Sequence, residues 1–553
     1  MFRACKTLFF IGCLCLPGMA MAQLRDNVDV GSLSQIAPFS IGVLGPHQAP
    51  MPADQWLNSE RDVLADLLRY MPTNSGSYVI NDLLHRVLLS GGDLPAGGDP
   101  NNHLAVLRLA GAYNLGKLHE TGEIAARSPR GYHDPQTALF AVNSLLALGQ
   151  PEPACTIANQ LNEARSAPFW LKVRAFCMAK AGNIAGAELI AGLVVEANPE
   201  NAGFLTRINR LTTPSSQPET VTVQTALELA MVEAAKDIVS PDDLPFVLQA
   251  ALARRADTRS LGFAFDSFVA GAVSVPDMAE ILISHASQME LPLETNSDAQ
   301  TIQPLSPFEQ DLQRLKWAKS QNGMDRLALL FSLGRSANDA NLRADALAVL
   351  LQPGEHLRDW LALHRLAIEE IRYLPLDQNL AQIAPVFVQA SLLANDFELA
   401  RKWSKIMQPE ILEAWAFDLP FRIVNPATKR IKDVALPSTD SEAEQFQLAS
   451  ELMALHALGH PLDPIARQWL SSRANINEAQ CPLGKQIALA SSAKAGALAE
   501  TILRIADLMG NSGFDGLPNS CNTGIVSALQ ELGLAHEARL AAMEWTFGNR
   551  FHK

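Results

Sequence analysis

Residues 149–192 run GQPEPACTIANQLNEARSAPFWLKVRAFCMAKAGNIAGAELIAG. Gly149 and Gly182 each follow a run with helical periodicity, and glycine readily takes the left-handed conformation that ends an α-helix. Ala154 and Ala187 stand five positions after these glycines, where a small side chain lets the next helix pack closely against the previous one. The stretch therefore predicts consecutive antiparallel helix pairs.

The same spacing recurs later in the chain. Asn395 precedes Ala400 by five positions, and Gly533 precedes Ala538 by the same interval. Asparagine shares the tolerance of glycine for left-handed backbone, so both positions are predicted helix ends.

Three segments resemble degenerate tetratricopeptide-like helix pairs: 149–198, 395–407 and 532–545. Gly149 and Gly182 are 33 residues apart, close to the ~34-residue period of tetratricopeptide arrays. The full consensus, with its tryptophan, tyrosine and proline positions, is absent from the sequence. The resemblance implies an α-solenoid of antiparallel helix pairs, a tetratricopeptide-like superhelix, which usually presents a concave surface to a protein partner.

Helical periodicity extends over most of the chain and predicts an all-α fold with negligible β-structure. Ser59 begins a capping-box-like helix start, and Asp134-Pro135 and Ser306-Pro307 are two more predicted starts. The best strand candidate is the short run 421–424.

Loops and composition divide the chain into predicted segments. An extended, Pro/Gly-rich lead-in occupies 23–58, and stretches 213–221, 289–305 and 425–439 interrupt the helical pattern. The predicted division follows these boundaries: an N-terminal helical-repeat lobe at 59–212, a middle helical-repeat region at 213–424 with a loop at 289–305, a linker at 425–439, and a C-terminal helical lobe at 440–553.

The first 22 residues have the pattern of a cleavable signal peptide. Arg3 and Lys6 precede the apolar run 8–16, and Ala20-Met21-Ala22 supplies the small-x-small cleavage pattern. We predict cleavage after Ala22, export to the bacterial periplasm and no stable membrane insertion. Lipidation at Cys13, within a loose lipoprotein-like motif, is the alternative.

Four cysteines follow the signal segment: Cys155, Cys177, Cys481 and Cys521. Cys155 and Cys177 are each eleven residues from position 166, in the predicted turn of one hairpin, so they lie at the same height and are predicted to form a disulfide. Cys481 and Cys521 each lie just before a predicted helix, with two helices between them. The first and third helices of an up-down-up arrangement start at the same end, so a second bridge is predicted between these cysteines. The alternative is four buried thiols.

The acidic balance limits the classes of partner. The formal net charge is −14 at pH 7, and nucleic-acid binding requires clustered basic residues. Lys429, Arg430 and Lys432 form a local basic group in the linker, either a docking loop for an acidic partner or an ordinary solvated loop.

Catalytic and metal motifs are weak. Ser491 to Lys494 matches Ser-x-x-Lys without a following Lys-Thr-Gly. His456 and His460 have a zinc-compatible spacing without the His-Glu-x-x-His form. We therefore assign no catalytic, cofactor-binding or metal-binding residue.

The sequence favours a non-enzymatic exported scaffold or adaptor that presents a helical-repeat surface to a protein or peptide of the cell envelope. Two alternatives stay open: an enzyme or accessory of peptidoglycan or polysaccharide metabolism, and a ligand-binding protein with a pocket between lobes. An enzyme would bring two or more Glu, Asp, His, Ser or Lys side chains together in a cleft with shifted pKa values, whereas a scaffold would have a broad groove of solvent-facing side chains and no deep pocket with converging carboxylates. The sequence identifies neither the partner nor the oligomeric state.

Overall fold

The computed structural model describes residues 37–213, 217–255, 261–290, 305–352, 357–408, 441–472 and 480–551. Several predicted features lie outside the described residues. They are the signal segment 1–22, the strand candidate 421–424, most of the loop 289–305, and the linker with Lys429, Arg430 and Lys432.

Twenty-five α-helices lie within the described residues. The first thirteen are α1 (Arg61–Arg69), α2 (Tyr78–Leu89), α3 (His103–Asn114), α4 (Leu118–Arg127), α5 (Pro135–Ala147), α6 (Pro151–Gln160), α7 (Pro168–Lys180), α8 (Ile184–Ala197), α9 (Ala202–Thr212), α10 (Ala226–Ala234), α11 (Phe246–Ala253), α12 (Leu261–Val269) and α13 (Val275–Gln288). The others are α14 (Pro307–Ser320), α15 (Gly323–Ser336), α16 (Ala340–Leu350), α17 (Leu357–Arg372), α18 (Ala384–Leu393), α19 (Phe397–Ser404), α20 (Glu442–Ala457), α21 (Pro464–Ser472), α22 (Leu483–Lys494), α23 (Leu498–Met509), α24 (Asn519–Glu531) and α25 (Ala535–Phe551).

The all-α class is confirmed, because helices make up 69% of the structure and strands 1%. The strands β1 (Thr220–Val221) and β2 (Ile238–Val239) pair in parallel. β1 lies at the end of the stretch 213–221, which the sequence predicted as a loop. The other described residues of this stretch lie between α9 and α10 and form no helix.

The predicted helix ends have the expected backbone conformation. All four have positive φ, between 57° and 77°: Gly149, Gly182, Asn395 and Gly533. After the first of them, the Gln150 N–H donates to the Leu145 carbonyl at 2.8 Å, which closes a Schellman turn. The alanines five positions later are all buried in the next helix, namely Ala154, Ala187, Ala400 and Ala538.

Two of the three predicted helix starts are confirmed. The Asp134 carboxylate accepts hydrogen bonds from the backbone N–H groups of Gln136 and Thr137. Ser306 and Glu309 form a reciprocal capping box at the start of α14.

The start at Ser59 is wrong by two residues. Helix α1 begins at Arg61, with Glu60 as its N-cap residue. Glu60 forms an extended bridge with Ala96, and the Arg61 N–H donates to the Ala96 carbonyl at 3.3 Å. This pairing holds the chain extended where the sequence pattern predicted the first turn of a helix.

The first and last described helices share one hydrophobic core. We call this cluster the terminal core, and its largest buried members include Trp56, Leu64, Ile502 and Trp545. Helix α23 packs against α1 and α2, and α25 packs against α2 and α17. Many of the remaining helices pack against a neighbour in sequence, but α10 packs mainly against α5 and α13 mainly against α15. The terminal core thus brings together residues from both ends of the described chain.

The described part of the lead-in is docked on the helices. Phe39 and Trp56 are buried and their rings meet edge to face, with centroids 5.0 Å apart. The buried Arg108 guanidinium donates to the carbonyl groups of Phe39, Ile41 and Leu88. These bonds fix the lead-in, and with it the turn Pro46–Gln48, at the edge of a cleft.

Candidate ligand-binding cleft

Both predicted cysteine pairs are brought together. The Cα atoms of Cys155 and Cys177 are 5.6 Å apart, and those of Cys481 and Cys521 are 5.1 Å apart, both within disulfide range. Cys521 lies in the first turn of α24, whereas the sequence predicted it just before the helix. Paired cysteines suggest an oxidising, exported environment.

The remaining sequence candidates occupy ordinary helical positions. Ser491 and Lys494, the two ends of the Ser-x-x-Lys match, are both exposed on α22. Within the described ranges no group of three or more His, Cys, Asp or Glu side chains could hold a metal ion, and this includes His456 and His460. A search of the described helices found none with the length and apolar character of a membrane span.

A cleft of about 480 Å³ lies between α2, α17 and α25. Its edge is completed by the turn Pro46–Gln48 and by the end of α18. The apolar part of the wall is formed by Val79, Leu361, Ile368, Leu393, Leu540 and Met543. Five charged side chains also line it, namely Asp82, Arg86, Arg365, Glu537 and Glu544. They come from three segments that are far apart in sequence.

Arg86 and Glu537 form an ion pair that joins α2 to α25. Arg86 Nη1 lies 2.6 Å from Glu537 Oε1, and both side chains are largely buried. Arg86 Nε donates to the Ala49 carbonyl at 2.7 Å, which also ties the lead-in to α2. These two groups are therefore occupied in holding the wall of the cleft together.

Glu544 is also engaged with α2. Its carboxylate accepts a hydrogen bond from the Ser77 hydroxyl and another from the Val79 N–H at 3.3 Å. Ser77 is the N-cap residue of α2, and its oxygen accepts the Ile80 N–H. Burial raises the pKa of Glu544, against the opposing effects of the Ser77 hydrogen bond and the nearby Arg365 charge. The carboxylate extends the cap of α2 from a different helix.

Asp82 has a much looser environment. Its Oδ2 lies 3.7 Å from Arg86 Nη1, and 42% of its side chain is exposed. Arg86 makes its shorter contacts with Glu537 and Ala49, so Asp82 is the weaker partner in this group. Burial raises the pKa of Asp82, and Arg86 only partly opposes that effect.

Arg365 is held by aromatic rings. Its Cζ lies 3.2 Å from the centroid of the Tyr78 ring and 5.2 Å from that of Phe268. Its Nε and Nη1 atoms are buried and make no hydrogen bond to the described residues. In the described part of the chain, no carboxylate forms a salt bridge with this guanidinium. Burial lowers the pKa of Arg365, since the charged form loses hydration.

None of these charged residues carries a local sequence motif. Asp82 and Arg86 are one turn apart on α2, a spacing typical of any solvent-facing helix. Arg365 and Glu544 lie on two other helices, each far from α2 and from the other in sequence. Only the packing of α25 against both α2 and α17 reveals the cleft. In comparisons with protein families, curated proteins and solved structures, nothing matches this chain.

Proposed function

We propose that this protein is a non-enzymatic, exported binding protein that holds a ligand in the cleft between α2, α17 and α25. The observation that carries the proposal is Arg365, whose Nε and Nη1 make no hydrogen bond to the described residues, in a cleft of about 480 Å³ lined by both apolar and charged side chains. Binding sites for small molecules commonly have this size and combine an apolar lining with a few polar groups.

The contacts around the cleft support binding over catalysis. Arg86 and Glu537 neutralise each other, and Glu544 caps α2. These interactions position helices and engage three of the charged side chains of the cleft. A rigid wall of this kind favours recognition of a preformed shape.

The proposed setting is the bacterial periplasm, with a signal peptide cleaved after Ala22. The two cysteine pairs support an oxidising compartment. The proposed framework is a tetratricopeptide-like solenoid, supported by the packing of successive helices and by the left-handed turns at Gly149 and Gly182.

A scaffold or adaptor role is the second candidate, and one observation favours it. Leu189 and Leu193 are one turn apart on α8 and are 68% and 50% exposed. Exposed neighbouring leucines are a typical feature of protein contact surfaces. A protein or peptide of the cell envelope would be the partner.

Native mass spectrometry of the mature protein, purified from the envelope fraction, tests the proposed function. We expect a bound small molecule on the wild type and its loss in Ala394→Trp, where the new side chain occupies the cleft. Ala185→Trp, on the exposed surface of α8, is the matched control and should keep the ligand. Equal occupancy of the two variants would place the ligand elsewhere. A bare wild type that crosslinks to a protein through α8 would favour the scaffold.

A further inference from the structure

We propose that the ligand is a small zwitterion, a free amino acid or short peptide, with its carboxylate on Arg365 and its ammonium group on Asp82. This inference rests on the proposed function and names the chemistry of the same cleft. The inference depends on which charged side chains of the cleft have close partners within the protein and which do not.

Three of the five charged groups are used by the protein itself. Arg86 and Glu537 are 2.6 Å apart, and Glu544 accepts hydrogen bonds at the start of α2. Arg365 and Asp82 have no ion partner closer than 3.7 Å among the described residues, although the carboxylates of Glu544 and Asp82 are near enough to Arg365 to act on its pKa. A ligand that neutralises both must carry one positive and one negative group.

Arg365 has the properties of a carboxylate anchor. Its contact with the Tyr78 ring fixes the plane of the guanidinium, and its Nε and Nη1 lack partners among the described residues. A planar guanidinium matches a carboxylate in a two-bond geometry, and the surrounding apolar residues strengthen that interaction.

Asp82 has the properties of an ammonium site. Its carboxylate faces the cleft, and its Arg86 contact is long at 3.7 Å. Since burial raises the pKa of Asp82, a ligand cation would stabilise its ionised form. An ammonium group offers three donors to one carboxylate without a strict geometric requirement.

The rest of the wall favours an apolar side chain on the ligand. Leu361, Ile368 and Met543 line the cleft between helices α17 and α25. A ligand with negative charge alone would meet the carboxylates of Asp82 and Glu544, and one with positive charge alone would leave Arg365 unpaired. A zwitterion with an aliphatic side chain meets neither penalty.

Isothermal titration calorimetry with the tripeptide Ala-Leu-Ala, free leucine and two blocked tripeptides tests this assignment. The blocked forms are the N-acetylated peptide and the C-terminal amide, each lacking one charge. We expect each block to weaken binding to the wild type by about 10-fold or more, the usual cost of leaving a buried charge unpaired. Comparison of leucine with the tripeptide distinguishes a free amino acid from a peptide.

Two variants assign the charges to residues. In Arg365→Met, which keeps the length of the side chain, amidation should have no further effect, while acetylation still weakens binding. In Asp82→Asn the pattern should be reversed. Arg365→Lys keeps the charge and should retain sensitivity to amidation. Arg467→Met and Asp345→Asn, both at exposed positions, are the controls and should behave like the wild type.

Equal binding of the free and amidated peptides to the wild type would overturn the carboxylate site on Arg365. Equal binding of the free and acetylated peptides would overturn the ammonium site on Asp82. Failure of the wild type to bind leucine or any tripeptide, alongside a ligand that is lost in Ala394→Trp, would refute the zwitterion and leave the proposed function standing. Circular dichroism of each variant identifies those that do not fold, and the comparison of free and blocked peptides on the wild type then carries the test.

Discussion

The Ser77 hydroxyl donates a hydrogen bond to the Glu544 carboxylate across 467 positions of sequence. Through the same carboxylate, the Val79 N–H at the start of α2 also gains an acceptor. A helix leaves its first N–H groups without intrahelical partners, and here the last described helix supplies one. The two ends of the described chain are therefore joined by polar contacts as well as by the terminal core.

Replacement of Glu544 should weaken this junction. We expect Glu544→Ala to lower the free energy of unfolding by about 1–3 kcal/mol, because buried donors at the start of α2 lose their acceptor. Glu544→Gln should cost less, since the amide oxygen can still accept and a buried charge is removed. Urea unfolding monitored by circular dichroism measures both, with exposed Glu531→Ala as control. Equal stability of Glu544→Ala and the control would show that the contact contributes nothing.

The cysteine pair in the α6–α7 hairpin should stabilise the fold. We expect Cys155→Ala/Cys177→Ala to lower the free energy of unfolding by about 2–4 kcal/mol, because the bridge restricts the unfolded chain. Reductant should destabilise the wild type, and it should have a smaller effect on this variant. Mass spectrometry of an unreduced digest should recover the 155–177 and 481–521 peptide pairs, and any other pairing would contradict the structure.

His364 should make the stability dependent on pH. It is fully buried, its Nδ1 contacts the Trp360 carbonyl at 2.7 Å, and burial lowers its pKa from 6.5 to about 4. Between these values the unfolded chain binds a proton that the native state does not, so the contribution is complete above pH 6.5 and is lost as the pH falls towards 4. The shift corresponds to about 3 kcal/mol at most.

Unfolding of His364→Leu by urea at pH 7.5 and pH 4.5 measures this contribution. The loss of stability between the two pH values should be smaller in the variant than in the wild type. The buried His85, whose pKa is lowered by burial too, should account for part of the loss that remains. Exposed His456→Gln is the control, and a loss in His364→Leu as large as that in the control would refute the assignment.

Two glycine turns should differ in their tolerance of alanine. Gly116 and Gly182 both have positive φ, 74° and 76°, so a side chain costs about 1 kcal/mol at either position. A Cβ at Gly116 would lie 2.6 Å from the Ala250 Cβ, whereas nothing lies within 4 Å of one at Gly182. Gly116→Ala should therefore be clearly the more destabilising in urea unfolding, and equal effects would argue against close packing of α11 on this turn.

The turns between helices could be predicted from sequence only where alanine stands five positions after the glycine or asparagine that ends the first helix. Gly116 and Gly496 end helices in the same way, but threonine stands five positions later in both cases. Thr121 and Thr501 are fully buried, and their hydroxyls donate to the carbonyls four residues earlier. A buried threonine can thus replace alanine once its hydroxyl has a local acceptor. A pattern that requires a small apolar residue at this position does not include such turns.

The site was less predictable than the fold. The hairpin places Cys155 beside Cys177 through local geometry alone, so their pairing follows from the sequence. Arg365 and Asp82 line one cleft only because α25 packs against both α2 and α17, and no local spacing encodes that arrangement. Side chains that converge from distant segments require the tertiary structure.

The terminal core has a consequence for the order of folding. Trp56 and Leu64 are made near the beginning of the chain, but Ile502 and Trp545, which complete their core, are made near the end. The core around Trp56 and Leu64 therefore stays incomplete until Ile502 and Trp545 have been synthesised. Contacts this distant in sequence also form slowly, because a long loop must close first. Truncation of α25 would remove stability from helices made more than four hundred residues before it.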